Sequence, residues 1–223
     1  MNATSHLPLR LLSFLLALAL AAQCIWILSA ELTRPGIARL PADAPSAETA
    51  AKQRNDATWA ARIGGIRGDL WEESAFTFAS LLFADLAGAP AQGTSDAGIS
   101  VERAIGFAPH LSAAWLLRAG LPSSGSDIDR IEALKMSYYT GPSDLSLMPL
   151  RLLVAARVEA LSDADIQQLV SRDLHLLLTH NQKAAVTQAY QRATPAAQRY
   201  LTKALADIDP AYLELFRAGA PRQ

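Results

Sequence analysis

The chain has 223 residues, enough for one medium domain with an appended segment or linker. Hydrophobic residues make up 51% and aromatics only 7%, because Ala and Leu dominate; with β-branched runs scarce, this points away from a sheet and towards an all-α fold. A net charge of −1 excludes bulk attraction to nucleic acid, and the single cysteine, Cys24, excludes an intramolecular disulfide or a cysteine metal site.

Residues 1–10 are a short tail ending in Arg10. Residues 11–30 carry no charge, and their only polar side chains are Ser13, Gln23 and Ser29. A helix of that length covers a bilayer's hydrocarbon core with its backbone groups satisfied internally. The stretch is therefore expected to be a transmembrane anchor, with Trp26 at an interface. Two alternatives compete. Ala19-Leu20-Ala21 would serve as a signal-peptide cleavage site, but the apolar run continues well past it. Cys24 would serve as a lipoprotein cysteine, but Gln23 stands where a small residue is needed. Basic residues do not decide orientation, since Arg10 on one side faces Arg34 and Arg39 on the other. A short positive tail places the N-terminus in the cytoplasm. In a bacterial chain that means a single-pass inner-membrane protein with its bulk in the periplasm. Ser13, Ala17 and Ala21 recur every four residues, a small-xxx-small stripe on which another transmembrane helix would pack.

Residues 31–46 contain Pro35, Gly36, Pro41 and Pro45 and read as an extended Pro-rich linker. Residues 47–218 read as one α-helical domain of eight to ten short helices, followed by a tail at 219–223. A first helix is expected over 47–63, broken by Gly64-Gly65 and Gly68. A second opens on Asp69 and Glu72, a D-x-x-E box, and runs towards Leu86. A third begins near Ser100 and stops before Pro109, and a fourth covers about 112–119. Ser126 and Asp129 cap the next, which Gly141-Pro142 ends. Residues 145–160 follow, with Pro149 in the first turn, and then a helix capped by Ser162 and Asp165. Thr194-Pro195 and Asp209-Pro210 each place a cap before proline at a helix start.

The segment ERAIGFAPHLSAAWLLRA places Ala104, Pro109, Trp115 and Ala119 at the spacing of a helical-hairpin junction. It resembles the junction between tetratricopeptide repeats, and Trp71, Ala75 and Phe78 resemble the aromatic–small–aromatic pattern of a repeat's first helix. The resemblance implies an irregular array of helical hairpins with these seven residues packing between hairpins. The 44 residues from Trp71 to Trp115 depart from that family's usual 34. The stretch ALKMSYYTGPSDLSLMPLRLLVAAR is similar to a segment of small anchored helical proteins from alphaproteobacteria. Some of those accompany polysaccharide production or export.

No catalytic or cofactor motif emerges. His175 and His180 are five apart, on different helix faces, whereas a zinc pair needs four, so no metal is expected. Gly64-Gly65-Ile66-Arg67-Gly68 lacks the Lys-Ser/Thr of a phosphate loop. Glu72 and Glu73 diverge by about 100° on a helix and do not face one substrate. Ser74, Ser80 and Ser112 lack a nucleophile elbow. Tyr138 and Tyr139 stand beside Gly141-Pro142 as a binding rim, unless one packs inside. The expected function is a membrane-anchored, non-enzymatic adaptor that binds another membrane or envelope protein, without cofactor or nucleic acid, in envelope or exopolysaccharide assembly. The alternative is an accessory subunit that packs on a multi-span transporter or polymerase through its anchor.

Overall fold

The computed structural model describes residues 7–83, 93–121 and 126–219. Among them the fold is all-α. α1 (Leu7–Thr33) is followed by α2 (Ala44–Lys52), α3 (Arg54–Gly64), α4 (Gly68–Phe76) and the short α5 (Ser80–Phe83). Then come α6 (Thr94–Phe107), α7 (Ser112–Gly120), α8 (Asp127–Thr140) and α9 (Met148–Arg157). A 3-10 turn (Ala160–Ser162) leads to α10 (Ala164–Thr179), α11 (Lys183–Gln191), α12 (Pro195–Ile208) and α13 (Pro210–Gly219).

α1 is long and apolar enough to cross a membrane. Its residues 8–25 are exposed, and contact with the rest of the chain begins at Trp26. From there Trp26, Ser29, Ala30 and Thr33 turn one helical face onto α3. The Trp26 indole donates to the Ile63 carbonyl at 2.6 Å. Residues 34–43 carry no helix, as their prolines dictate, but they are not a free tether. Leu40 is buried, Arg34 Nε donates to Glu73 at 2.5 Å, and the Ile37 N–H donates to the same carboxylate. Arg67 bridges Glu31 at 2.6 Å and Asp69 at 2.7 Å. Burial raises the Asp69 carboxyl, but its hydrogen bond and charge contact with Arg67 outweigh this and hold it below its ordinary value. The end of the apolar helix and the start of the domain are thus one packed unit. The 31–46 boundary gives way accordingly, because α1 continues to Thr33 and α2 starts at Ala44. That earlier start follows from Asp43, whose carboxylate accepts from Ser46 N at 2.8 Å, with Pro45 in the first turn.

Several helix ends confirm their sequence signals. Ser126 and Asp129 form a reciprocal capping box, Pro149 sits in the first turn of α9, and Thr194 and Asp209 cap α12 and α13. Others differ. The expected 47–63 helix breaks at Gln53, whose N–H turns to Ala50 O. Asp69 does not cap α4, because its carboxylate is taken by Arg67 and Arg34. The same helix ends at Phe76, where the Thr77 hydroxyl bonds back to Ser74 O at 2.7 Å; residues 84–86 of its expected course lie outside the described residues. α6 begins at Thr94, six residues before Ser100, after a left-handed Gly93 with φ 93°. Asp163 rather than Ser162 caps α10.

Three tight turns share one bonding pattern. Arg67 N–H donates to Gly64 O, Leu111 N–H to Ala108 O and Leu147 N–H to Asp144 O, at 3.3, 3.1 and 3.2 Å. Trp71 N–H then reaches Arg67 O, Trp115 N–H reaches Leu111 O, and Arg151 N–H reaches Leu147 O. The first two turns match further. Each indole donates to the carbonyl six residues upstream at 2.7 Å, Trp71 to Gly65 and Trp115 to Pro109. The turns pack side by side: a Cβ on Gly68 would lie 2.5 Å from Ala108 Cβ, and one on Gly141 2.7 Å from Ser112 Oγ. The repeat-packing residues Trp71, Ala75, Phe78, Ala104 and Ala119 are buried, Trp115 is half-buried, and Pro109 is exposed just beyond the end of α6.

The opposite end of these helices carries a different chemistry. Arg130 donates to Ala119 O at 3.0 Å, Arg157 to Leu82 O, and Arg192 to Phe83 O at 3.0 Å. Three guanidinium groups thus serve carbonyls at the ends of α5 and α7. Back at the turn between α8 and α9, Arg151 is fully buried. It donates to Ser137 Oγ at 3.1 Å, Ser137 O at 2.5 Å and Gly141 O at 2.9 Å, and its guanidinium lies 4.7 Å from the Tyr138 ring centroid. One side chain therefore closes the turn between α8 and α9. Arg151→Ala would leave those acceptors unpaired beside a cavity, and it is expected to cost about 3 kcal/mol or more, measured by denaturant unfolding of the full-length protein in detergent. Tyr139→Ala, on the exposed neighbour, is expected to cost roughly 0.5 kcal/mol or less in the same assay.

Candidate functional site

α3 and α6 stand on either side of α4 and leave a cleft of about 420 Å³. α3 contributes Arg54, Asn55, Thr58, Trp59 and Arg62, one face of a helix. α6 contributes Asp96, Ile99, Ser100 and Arg103, again at helical spacing. Trp71 and Phe78, both buried, form the floor. Below it Ser74 Oγ lies 3.2 Å from Ser100 Oγ and 3.5 Å from Thr58 Oγ1, tying the three helices together.

The lining carries three arginines against one carboxylate, Asp96. Two of the guanidinium groups rest on rings. Arg54 lies 4.2 Å from the Phe78 centroid and Arg103 4.6 Å from that of Trp71. Arg54 also donates to Thr77 O at 3.1 Å, and its buried Nε has no hydrogen-bond partner among the described residues. Stacking on a ring fixes the plane of a guanidinium while leaving its N–H edge for a carboxylate or phosphate. Trp59, 60% exposed, stands at the rim as an apolar contact. The lining contains neither His nor Cys, so what it offers is paired N–H donors and aromatic faces.

The residues singled out from the sequence fall elsewhere. Ser13, Ala17 and Ala21 are exposed along α1, with Ser13 Oγ turned back to Leu9 O at 2.9 Å. Tyr138 is 1% exposed, so Tyr138 and Tyr139 do not form a rim together; Tyr139 alone faces outward. Burial, with the nearby Asp173 charge, pushes the Tyr138 hydroxyl well above its ordinary value. Asp173 itself is fully buried and raised by burial, with Arg172 at 3.4 Å. Of the repeat-packing set only Trp71 and Phe78 reach the cleft. Sequence reasoning missed Arg54, Arg62 and Arg103. Their signal was present as two facing helical stripes, but nothing in the chain says that α3 and α6 flank the same helix. Among the described residues no group of three or more His, Cys, Asp or Glu is placed to hold a metal ion. Comparison with protein-family models, curated proteins and solved structures finds no match.

Another carboxyl, Glu72, lies outside the cleft lining. Burial pushes Glu72 up to about 7, opposed by a hydrogen bond from the Ala114 N–H and assisted by the Asp69 charge. Glu72 thus sits against the first turn of α7 from a neighbouring helix. A carboxyl whose pKa is raised in the folded state holds its proton there while the unfolded chain has lost it. Stability therefore falls as pH rises from about 4.5 to 7, and the full loss remains above that window. Glu72→Gln is expected to lessen the drop in melting temperature between pH 5 and pH 8, as followed by circular dichroism in detergent.

Proposed function

We propose that this chain is a membrane-anchored, non-enzymatic helical adaptor, and that its cleft takes an acidic segment of another envelope protein. The observation that carries this reading is the set of three arginines facing one carboxylate over two aromatic rings. Such a set recognises carboxylate pairs and offers nothing to activate a nucleophile. The helical-hairpin arrangement, similar to tetratricopeptide arrays, fits the same role, since such arrays bind extended segments in grooves between helices. In this reading α1 spans the inner membrane and the remainder is periplasmic. The likeness of residues 133–157 to anchored proteins of polysaccharide loci supports envelope polysaccharide assembly as the process.

A photo-reactive amino acid at Ile99, half exposed on the cleft wall, is expected to form a discrete adduct in native membranes, attached to an acid-rich segment by mass spectrometry. Arg62→Glu with Arg103→Glu is expected to reduce that adduct roughly tenfold. An undiminished adduct, or one on a segment without acidic residues, would count against the cleft as the docking site.

The alternative reading, an accessory subunit held through α1, is favoured by the exposure of the Ser13, Ala17 and Ala21 stripe, which the domain leaves uncovered. Ala17→Leu with Ala21→Leu is then expected to abolish co-purification of a multi-span partner while the Ile99 adduct persists. Unchanged recovery refutes this alternative.

A further inference from the structure

Outside α1 seven large apolar side chains are well exposed among the described residues: Trp59, Ile66, Ile99, Phe107, Ile128, Tyr139 and Leu145. Trp59 and Ile99 line the cleft, and Ile128 stands at the first turn of α8. The other four share one edge. Ile66 is in the turn between α3 and α4, Phe107 ends α6, Tyr139 is in the last turn of α8, and Leu145 is in the turn before α9. The glycine contacts place these turns in a row, Gly68 against Ala108 and Gly141 against Ser112. The row begins at α1, where Trp26 is bound to Ile63 O and Glu31 to Arg67.

The uncharged length of α1 sets where that row stands. Residues 11–30 carry no charge and span about 30 Å at 1.5 Å per residue, the thickness of a hydrocarbon core, and they are exposed as far as residue 25. A bilayer around that run therefore has its boundary about one helical turn past Trp26, the residue bonded to the first turn of the row. We propose that the row of turns is a membrane-docking edge, with Ile66, Phe107 and Leu145 immersed in the interfacial layer and Tyr139 at its aromatic level. The inference rests on α1 spanning a bilayer. It adds that the domain lies against the same bilayer rather than standing clear of it.

The occupant is lipid because the edge is continuous with the lipid-facing helix and carries little net charge. Glu31, Asp69 and Glu73 are answered by Arg34 and Arg67, while Asp144 is hydrogen-bonded to Ser146 and Arg172 to the Pro142 carbonyl. Attachment is therefore apolar and insensitive to salt. The opposite end, with Arg130, Arg157 and Arg192 at helix carbonyls, is turned away from the membrane.

The lone native cysteine supplies an internal control. An environment-sensitive label on Cys24 of the full-length protein in phosphatidylcholine–phosphatidylglycerol vesicles reports whether α1 is in lipid. Labels at Ile66→Cys, Phe107→Cys, Leu145→Cys and Ile128→Cys, each with Cys24→Ser, report the edge and the far end. Brominated lipids are expected to quench Cys24 strongly. They are expected to quench the three edge labels roughly twofold, as befits a depth of about 5–10 Å into the headgroup boundary, and to leave position 128 unquenched at low and high salt. If Cys24 is quenched and the edge labels behave like position 128, the edge is refuted while the anchor stands. If Cys24 itself is unquenched, the anchor reading fails and takes the docking edge with it. Quenching at all positions, 128 included, also overturns the edge.

Discussion

Glu73 is the residue on which the arrangement of α1 and the helices after it turns. Its carboxylate is almost wholly buried, yet it accepts from Arg34 Nε and from the Ile37 N–H, two groups just beyond the end of α1. A buried carboxylate must be answered by donors, and here the donors are 36 and 39 residues away along the chain. That requirement draws a proline-containing segment onto α4. It also fixes the register in which Trp26 meets Ile63 and Arg67 meets Glu31. Without it, residues 34–43 would be the free spacer that their composition suggests.

From this junction the rest follows by close approach. Gly68 lets the start of α4 press on Ala104 and Ala108, and Gly141 lets the end of α8 press on Ser112. Small residues at these crossings bring successive hairpins near enough for three turns to share one bonding pattern. Their spacings of 44 and 36 residues, from Leu111 back to Arg67 and on to Leu147, are unequal. The pattern is therefore maintained by the turn geometry rather than by a strict sequence period. The two tryptophans reinforce it, each indole closing on a carbonyl six residues upstream and each with an arginine over its ring.

The cleft is a consequence of the same packing. α4 is covered on two sides, by α3 and α6, and its upper face is left with Trp71, beside Phe78 from the turn after it. Arginines from the flanking helices fold onto those rings, which spares the rings from water and holds the cations in place. The buried Arg151 works in the opposite sense. Its Nε and Nη2 donate to Ser137 and Gly141, so its charge stabilises a turn. Guanidinium groups thus close the α8–α9 turn and the far helix ends, and line the cleft beneath which the helices meet.

The sequence by itself determined the all-α class, the long apolar first helix and the local stops and starts at Ser126, Pro149, Thr194 and Asp209. These depend on neighbours within a turn of helix, where the chain's own order is the geometry. Only the tertiary structure decided that Tyr138 is inside, that Asp69 answers arginines instead of capping, and that residues 34–43 are fastened down. Only it brought Arg54, Arg62 and Arg103 to one cleft. Each of these turns on which helix lies beside which, a choice made by burial and charge pairing across tens of residues, to which local spacing is blind.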